Sequence, residues 1–184
     1  MRDYAAIAAR LNPDGPRERR LRAVADALWD RLHARGISWV GFYFDRPGEP
    51  DDRRLVLGPC RDKPACSPIG MHGVCGQALR SQQTRIVEDV AALGPNYVAC
   101  DPRDRSEIVI PLIDDAGACW GVLDLDSWEV GWFDERDDTG LRLVLAAAGL
   151  PAVPAPPQRD QFSRFAPIGQ DSRQHGVDRG EAGR

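Results

Sequence analysis

Three of the five cysteines in this sequence stand where a thiol could react. Cys75, in Gly73-Val74-Cys75-Gly76, falls at the expected start of a short helix, where unpaired N–H groups and the helix dipole favour a thiolate. Cys100, in Val98-Ala99-Cys100-Asp101, comes late in an irregular stretch and seven residues before Glu107, a setting that suits a nucleophile facing a bound substrate. Cys66, in Lys63-Pro64-Ala65-Cys66, occupies a Pro-containing loop with a lysine nearby and suits a mobile second thiol. Taken singly, each is better explained as a small buried hydrophobe. That reading is adopted for Cys119, inside an apolar run beside Trp120, while nothing around Cys60 argues for either role. The cysteine spacings of 6, 9, 25 and 19 residues contain no C-x-x-C pair, and His33, His72 and His175 supply no paired ligands. No structural metal site is therefore expected.

A second cluster consists of carboxylates. With Asp114-Asp115-Ala116-Gly117 as the turn between two strands, Glu107 is expected opposite Asp124, with Asp126 one diagonal step away on the same face. Trp120 and Val122 are expected on that face too, leaving the acids partly solvated. Such crowding calls for the ammonium group of an amino-acid-like ligand or a divalent cation, and should raise at least one carboxylate pKa. The alternative is a strand end whose acids point at water.

These groups need elements to hold them. Leu21, Val24, Ala25, Leu28 and Leu32 recur at helical spacing within 18–35, and Gly36 is placed to end that helix. Ser38 to Phe44 and Arg54 to Leu57 predict a hairpin across DRPGEPDDR. A short helix follows over 73–80 and a short strand over 85–87, then an irregular loop over 91–105. Strands over 107–113 and 118–126 and a closing helix over 134–148 complete the order. Together they predict one α+β domain over 1–150, an antiparallel sheet flanked by helices. From Pro151 the chain turns Pro-rich and then polar, so 151–184 is expected to be a disordered tail.

Composition narrows the function classes. The net charge of −4 is spread along the chain, with no basic stripe to meet nucleic acid. No run of about 18 apolar residues suggests a membrane span, and the N-terminus lacks the order of a signal peptide, so a cytoplasmic protein is expected. An odd number of cysteines in a reducing compartment reads as free thiols.

Trp39-Val40-Gly41-Phe42-Tyr43, Lys63-Pro64-Ala65-Cys66, Gly73-Val74-Cys75-Gly76, Val98-Ala99-Cys100-Asp101, Ser106-Glu107-Ile108-Val109 and Gly121-Val122-Leu123-Asp124-Leu125-Asp126-Ser127 occur in that order. Over about residues 20–150 they resemble the free methionine-(R)-sulfoxide reductases, enzymes of the GAF fold. The resemblance implies helices on one face of the sheet and a ligand cavity closed by loops on the other. It implies Cys100 as nucleophile, Cys75 as resolving thiol and Cys66 as a further exchanging cysteine. Glu107, Asp124 and Asp126 match its substrate-binding acids, and Trp39 and Tyr43 its pocket aromatics. The implied partners are free methionine-(R)-sulfoxide and a thioredoxin-type reductant, with no metal or organic cofactor; exposed strand edges also suggest a homodimer. Three departures stand out: Tyr97 where the family usually has histidine, one residue fewer between Cys66 and Cys75, and one more in the loop before Cys100. The competing readings are a non-catalytic ligand-sensing module of the same fold and a redox sensor signalling through a disulfide.

Overall fold

The computed structural model describes residues 2–62, 65–96, 101–150 and 158–159. Cys100, Tyr97, Lys63 and Pro64, which the sequence reading singled out, lie outside the described residues.

A six-stranded sheet in the order β2-β1-β5-β4-β3-β6 divides two apolar cores. Its strands are β1 (Ile37–Asp45), β2 (Leu55–Arg61), β3 (Arg85–Val87), β4 (Ser106–Ile113), β5 (Cys119–Ser127) and β6 (Gln158–Arg159). Alternation along the strands sends Val40, Phe42, Ile108, Ile110, Leu112, Leu123 and Leu125 to one side. There they meet α1 (Tyr4–Ala8), α2 (Arg17–Leu32) and α4 (Glu135–Ala147). Trp39, Tyr43, Val109 and Val122 face the other side, beneath α3 (Val74–Ser81) and the loops that bring Met71, Val90 and Leu93. Three helices on one face is the arrangement expected; the other face carries α3 as well as loops.

The helix read from the apolar spacing forms as α2, but His33–Arg35 tighten into a 3₁₀ turn before Gly36, at φ 119°, reverses the chain. The five-residue α1 was not foreseen. It is fastened by Arg2 and Tyr4, whose side chains both hydrogen-bond to the buried carboxylate of Asp137. β2 runs four residues further than the expected 54–57, through Gly58-Pro59-Cys60. Proline is tolerated there because β2 is an edge strand.

The β4–β5 register differs from the expected one. Asp114 N–H bonds the carbonyl of Ala118, Ile113 pairs with Cys119, and Leu112 then pairs with Gly121, so Trp120 is the extra residue of a bulge. The net shift of two residues puts Glu107 opposite Asp126, and Val109, not Glu107, opposite Asp124. An even shift leaves the three acids on one face. Trp120 itself moves to the helix side, where it packs on Phe44 at 5.9 Å and lies under Arg17 at 4.7 Å.

Within 151–184, Gln158 and Arg159 pair in parallel with Arg85 and Ile86 of β3. The rest of 151–184 lies outside the described residues. No described helix is long and apolar enough to cross a membrane.

Candidate active site

Adjacent β1, β5 and β4 place the expected residues in rows across the sheet. One row runs Trp39, Asp126, Glu107; the next runs Gly41, Asp124, Val109; Tyr43 pairs with Val122. Trp39 and Tyr43 are buried, their rings 5.9 Å apart and tilted by 30°. Gly41 is what lets the Trp39 indole lie back over the sheet, because a Cβ there would collide with the indole and with the Cβ of Cys60. The Tyr43 hydroxyl donates to the carbonyl of Cys66 at 2.9 Å, pinning the half-buried Cys66 to the pocket wall.

α3 lies across the acids. Gly76 packs so closely on the backbone of Met71 that any side chain would clash, and this seats the helix start against β4 and β5. Cys75 is thereby buried, and its Sγ donates to Asp124 Oδ2 at 3.2 Å. One atom from each of Cys75, Glu107 and Asp124 lies within 4.8 Å of the others, a spacing that a cation or an ammonium group could bridge. Asp126 stands at the more open side of the cluster. Asp124 Oδ1 and Trp39 Nε1 are buried without a hydrogen-bond partner among the described residues. One is an acceptor and one a donor, as a zwitterionic ligand requires.

The electrostatics follow from burial. Asp124 is pushed up to about 7, mainly by loss of water; the Cys75 hydrogen bond opposes this and the charge of Asp104 adds to it. Asp126 is held well above the usual carboxylate range by burial and by Asp124, Glu107, Asp104 and Asp101. At least one raised carboxylate was expected from crowding; two are raised, with burial the larger cause and neighbouring acids the smaller one. For Cys75 the expectation of a helix-stabilised thiolate is reversed: burial, followed by Asp124 and Glu107, pushes its thiol well above the ordinary value. Two turns of helix supply a fractional positive charge, and the neighbouring acids outweigh it.

Among the remaining cysteines, Cys119 is half-buried, donates to the Gly121 carbonyl at 3.3 Å and has its thiol raised by burial, as an inert strand residue would. Cys60 pairs with Gly41 and so faces the pocket side. Its position was not legible in the sequence because β2 was expected to stop short of it. His72 is exposed. The sequence reading also missed Asp104, a buried acid bonded by Ser38 Oγ at 2.6 Å. It sits in a loop, where no periodicity marks which side chains turn inward.

The family model described as "GAF domain" matches residues 16–161. The free methionine-R-sulfoxide reductase of Saccharomyces cerevisiae is 41% identical over 102 residues, 55% of this chain and 55% of the yeast protein. That of Escherichia coli is 41% identical over 121 residues, 65% of this chain and 67% of the bacterial protein. The chain thus spans little more than half the yeast relative and two thirds of the E. coli one. The solved structure of free methionine-R-sulfoxide reductase from Neisseria meningitidis, in complex with its substrate, superposes with a TM-score of 0.68 at 35% identity. It covers 79% of this chain and 84% of that one.

Proposed function

Since the chain belongs to the GAF-domain family, and within it to the free methionine-(R)-sulfoxide reductases, we propose that it reduces free methionine-(R)-sulfoxide with its own cysteines. The observation that carries this reading is the buried meeting of Cys75 with Asp124, beside Glu107, Asp126 and Trp39. Glu107, Asp124 and Asp126 receive the substrate's ammonium group. This explains a preference for the free amino acid over peptide-bound methionine, whose nitrogen carries no charge. Trp39 and Tyr43 form the wall against the methyl sulfoxide end.

In the proposed cycle the Cys100 thiolate attacks the sulfoxide sulfur. A carboxyl of raised pKa, Asp124 or Asp126, gives a proton to the departing oxygen. The S–S bond so formed breaks when water adds its oxygen to Cys100 Sγ and gives up one proton, leaving methionine and a Cys100 sulfenic acid. Cys75 then attacks that sulfenic acid, forming a disulfide and releasing water, with Asp124 at hydrogen-bond distance to take the Cys75 proton. A high thiol pKa suits this role, since it keeps the resolving cysteine quiet until Cys100 has been oxidised. Cys66, tethered through Tyr43, receives the disulfide by exchange, and a thioredoxin-type dithiol returns two electrons and two protons.

The test follows NADPH loss in the presence of thioredoxin and its reductase, with each epimer of free methionine sulfoxide. Loss with the R epimer alone is expected; no loss with either refutes the reading. Trapping a sulfenic acid at Cys100 in Cys75→Ser fixes the order of the thiols. A label at Cys75 in Cys100→Ser reverses it.

A further inference from the structure

Between Cys100 and β4, the segment 101–105 shows solvent most of its side chains, and Asp104 alone is buried. Burying a carboxylate is costly, and among the described residues the side chain that bonds this one is Ser38 on β1, whose hydroxyl donates at 2.6 Å. Ser38 directly precedes Trp39 and lies at the β1 irregularity between Ile37 and Trp39. The backbone around Asp104 is fixed as well. Its N–H bonds the carbonyl of Asp101, the Arg105 N–H bonds that of Ser127, and Val90 N–H bonds that of Arg105. Arg103 closes the turn onto the Asp101 carboxylate. The Asp104 charge raises both Asp124 and Asp126.

We propose that Asp104 is a positioning residue of the reaction: through Ser38 it clamps the chain leaving Cys100 onto the strand that carries Trp39. The inference rests on the reductase reading and adds a residue outside the six motifs read from the sequence. A hydrogen-bond clamp four residues on from Cys100 in the chain fixes the 101–105 segment to β1, beside the strands that carry Glu107, Asp124 and Asp126. Loss of the clamp therefore acts on turnover more than on binding, because the binding acids belong to strands that stay paired.

The experiment uses the full chain with Asp104→Ala, Ser38→Ala and Asp104→Asn, whose amide oxygen still accepts the Ser38 proton. Asp104→Ala and Ser38→Ala should each lower kcat about tenfold with KM changed less than about twofold, while Asp104→Asn keeps kcat within about twofold of the parent. Peptide-level iodoacetamide labelling at Cys100, which needs no reductase activity, should shift by about fivefold in the alanine variants and stay put in Asp104→Asn. Wild-type kcat and wild-type Cys100 labelling in Asp104→Ala overturn the proposal. So does an equal loss in Asp104→Asn, or a loss confined to KM. If Asp104→Ala does not fold, Ser38→Ala decides by the same criteria. A parent protein inactive on both epimers defeats the reductase reading instead, and the labelling comparison still tests the clamp.

Discussion

Buried acids on the two sides of this sheet are treated in opposite ways. On the helix side, Asp137 and Asp138 are buried and fully partnered. Asp137 receives Arg2 Nε and Nη2 at 2.6 Å each, Tyr4 OH at 2.7 Å and the Asp134 N–H at 2.8 Å. Asp138 receives Thr84 Oγ1 at 2.6 Å and Arg142 Nε at 2.8 Å. On the loop side, Asp124 is equally buried, yet one oxygen has only a thiol and the other has no partner among the described residues. The charges acting on it and on Asp126 are acidic ones. The acids that hold the fold together come with arginines; the acids left to crowd one another are the ones proposed to receive a ligand's ammonium group.

The largest effects should fall on opposite properties. Asp126→Ala should abolish turnover in the NADPH-coupled assay while leaving the melting temperature nearly unchanged. Asp137→Ala should cost about 3 kcal/mol in urea denaturation, since it removes both the Arg2 partner and the capping-box carboxylate of α4. Full activity in the first variant, or full stability in the second, would dissolve the contrast.

A smaller effect sharpens it through pH. Because Asp124 holds its proton in the folded chain up to about 7, the folded state binds more protons than the unfolded one between the ordinary carboxylate range and that value. Stability is therefore lost as pH rises through this window. Asp124→Asn should be more stable than the parent by about 1–2 kcal/mol at pH 8, with the difference fading towards pH 4. An advantage that grows towards low pH would contradict the sign.

The smallest expected effect is kinetic. In the reduced protein Cys75 should react with iodoacetamide about tenfold more slowly than Cys66, because it is buried and protonated whereas Cys66 is half-exposed. Equal rates would restore the helix-start thiolate.

Much of this contrast was legible in the sequence, for reasons that also mark where reading fails. Strand alternation put Glu107, Asp124 and Asp126 on one face, and that survived a wrong register because the bulge at Trp120 and the longer turn shift the pairing by an even number. The same bulge moved Trp120 to the other face, which no local signal announced. Cys75 was misjudged because a helix start is visible in sequence while burial against β4 and β5 is not. Asp104 was missed because loops carry no period, and β2 was cut short because Gly58-Pro59 reads as a breaker until the strand is known to be an edge. The partners of Asp137 lie 133 and 135 residues away and could not be paired from the sequence.

The most direct test of the central claim, that the crowded acids of the loop side await an ammonium group, compares kcat/KM for free methionine-(R)-sulfoxide with that for its N-acetyl derivative. The acetylated substrate should be worse by about a hundredfold, since it leaves the acids without a cation in a buried site. Equal values would contradict the claim.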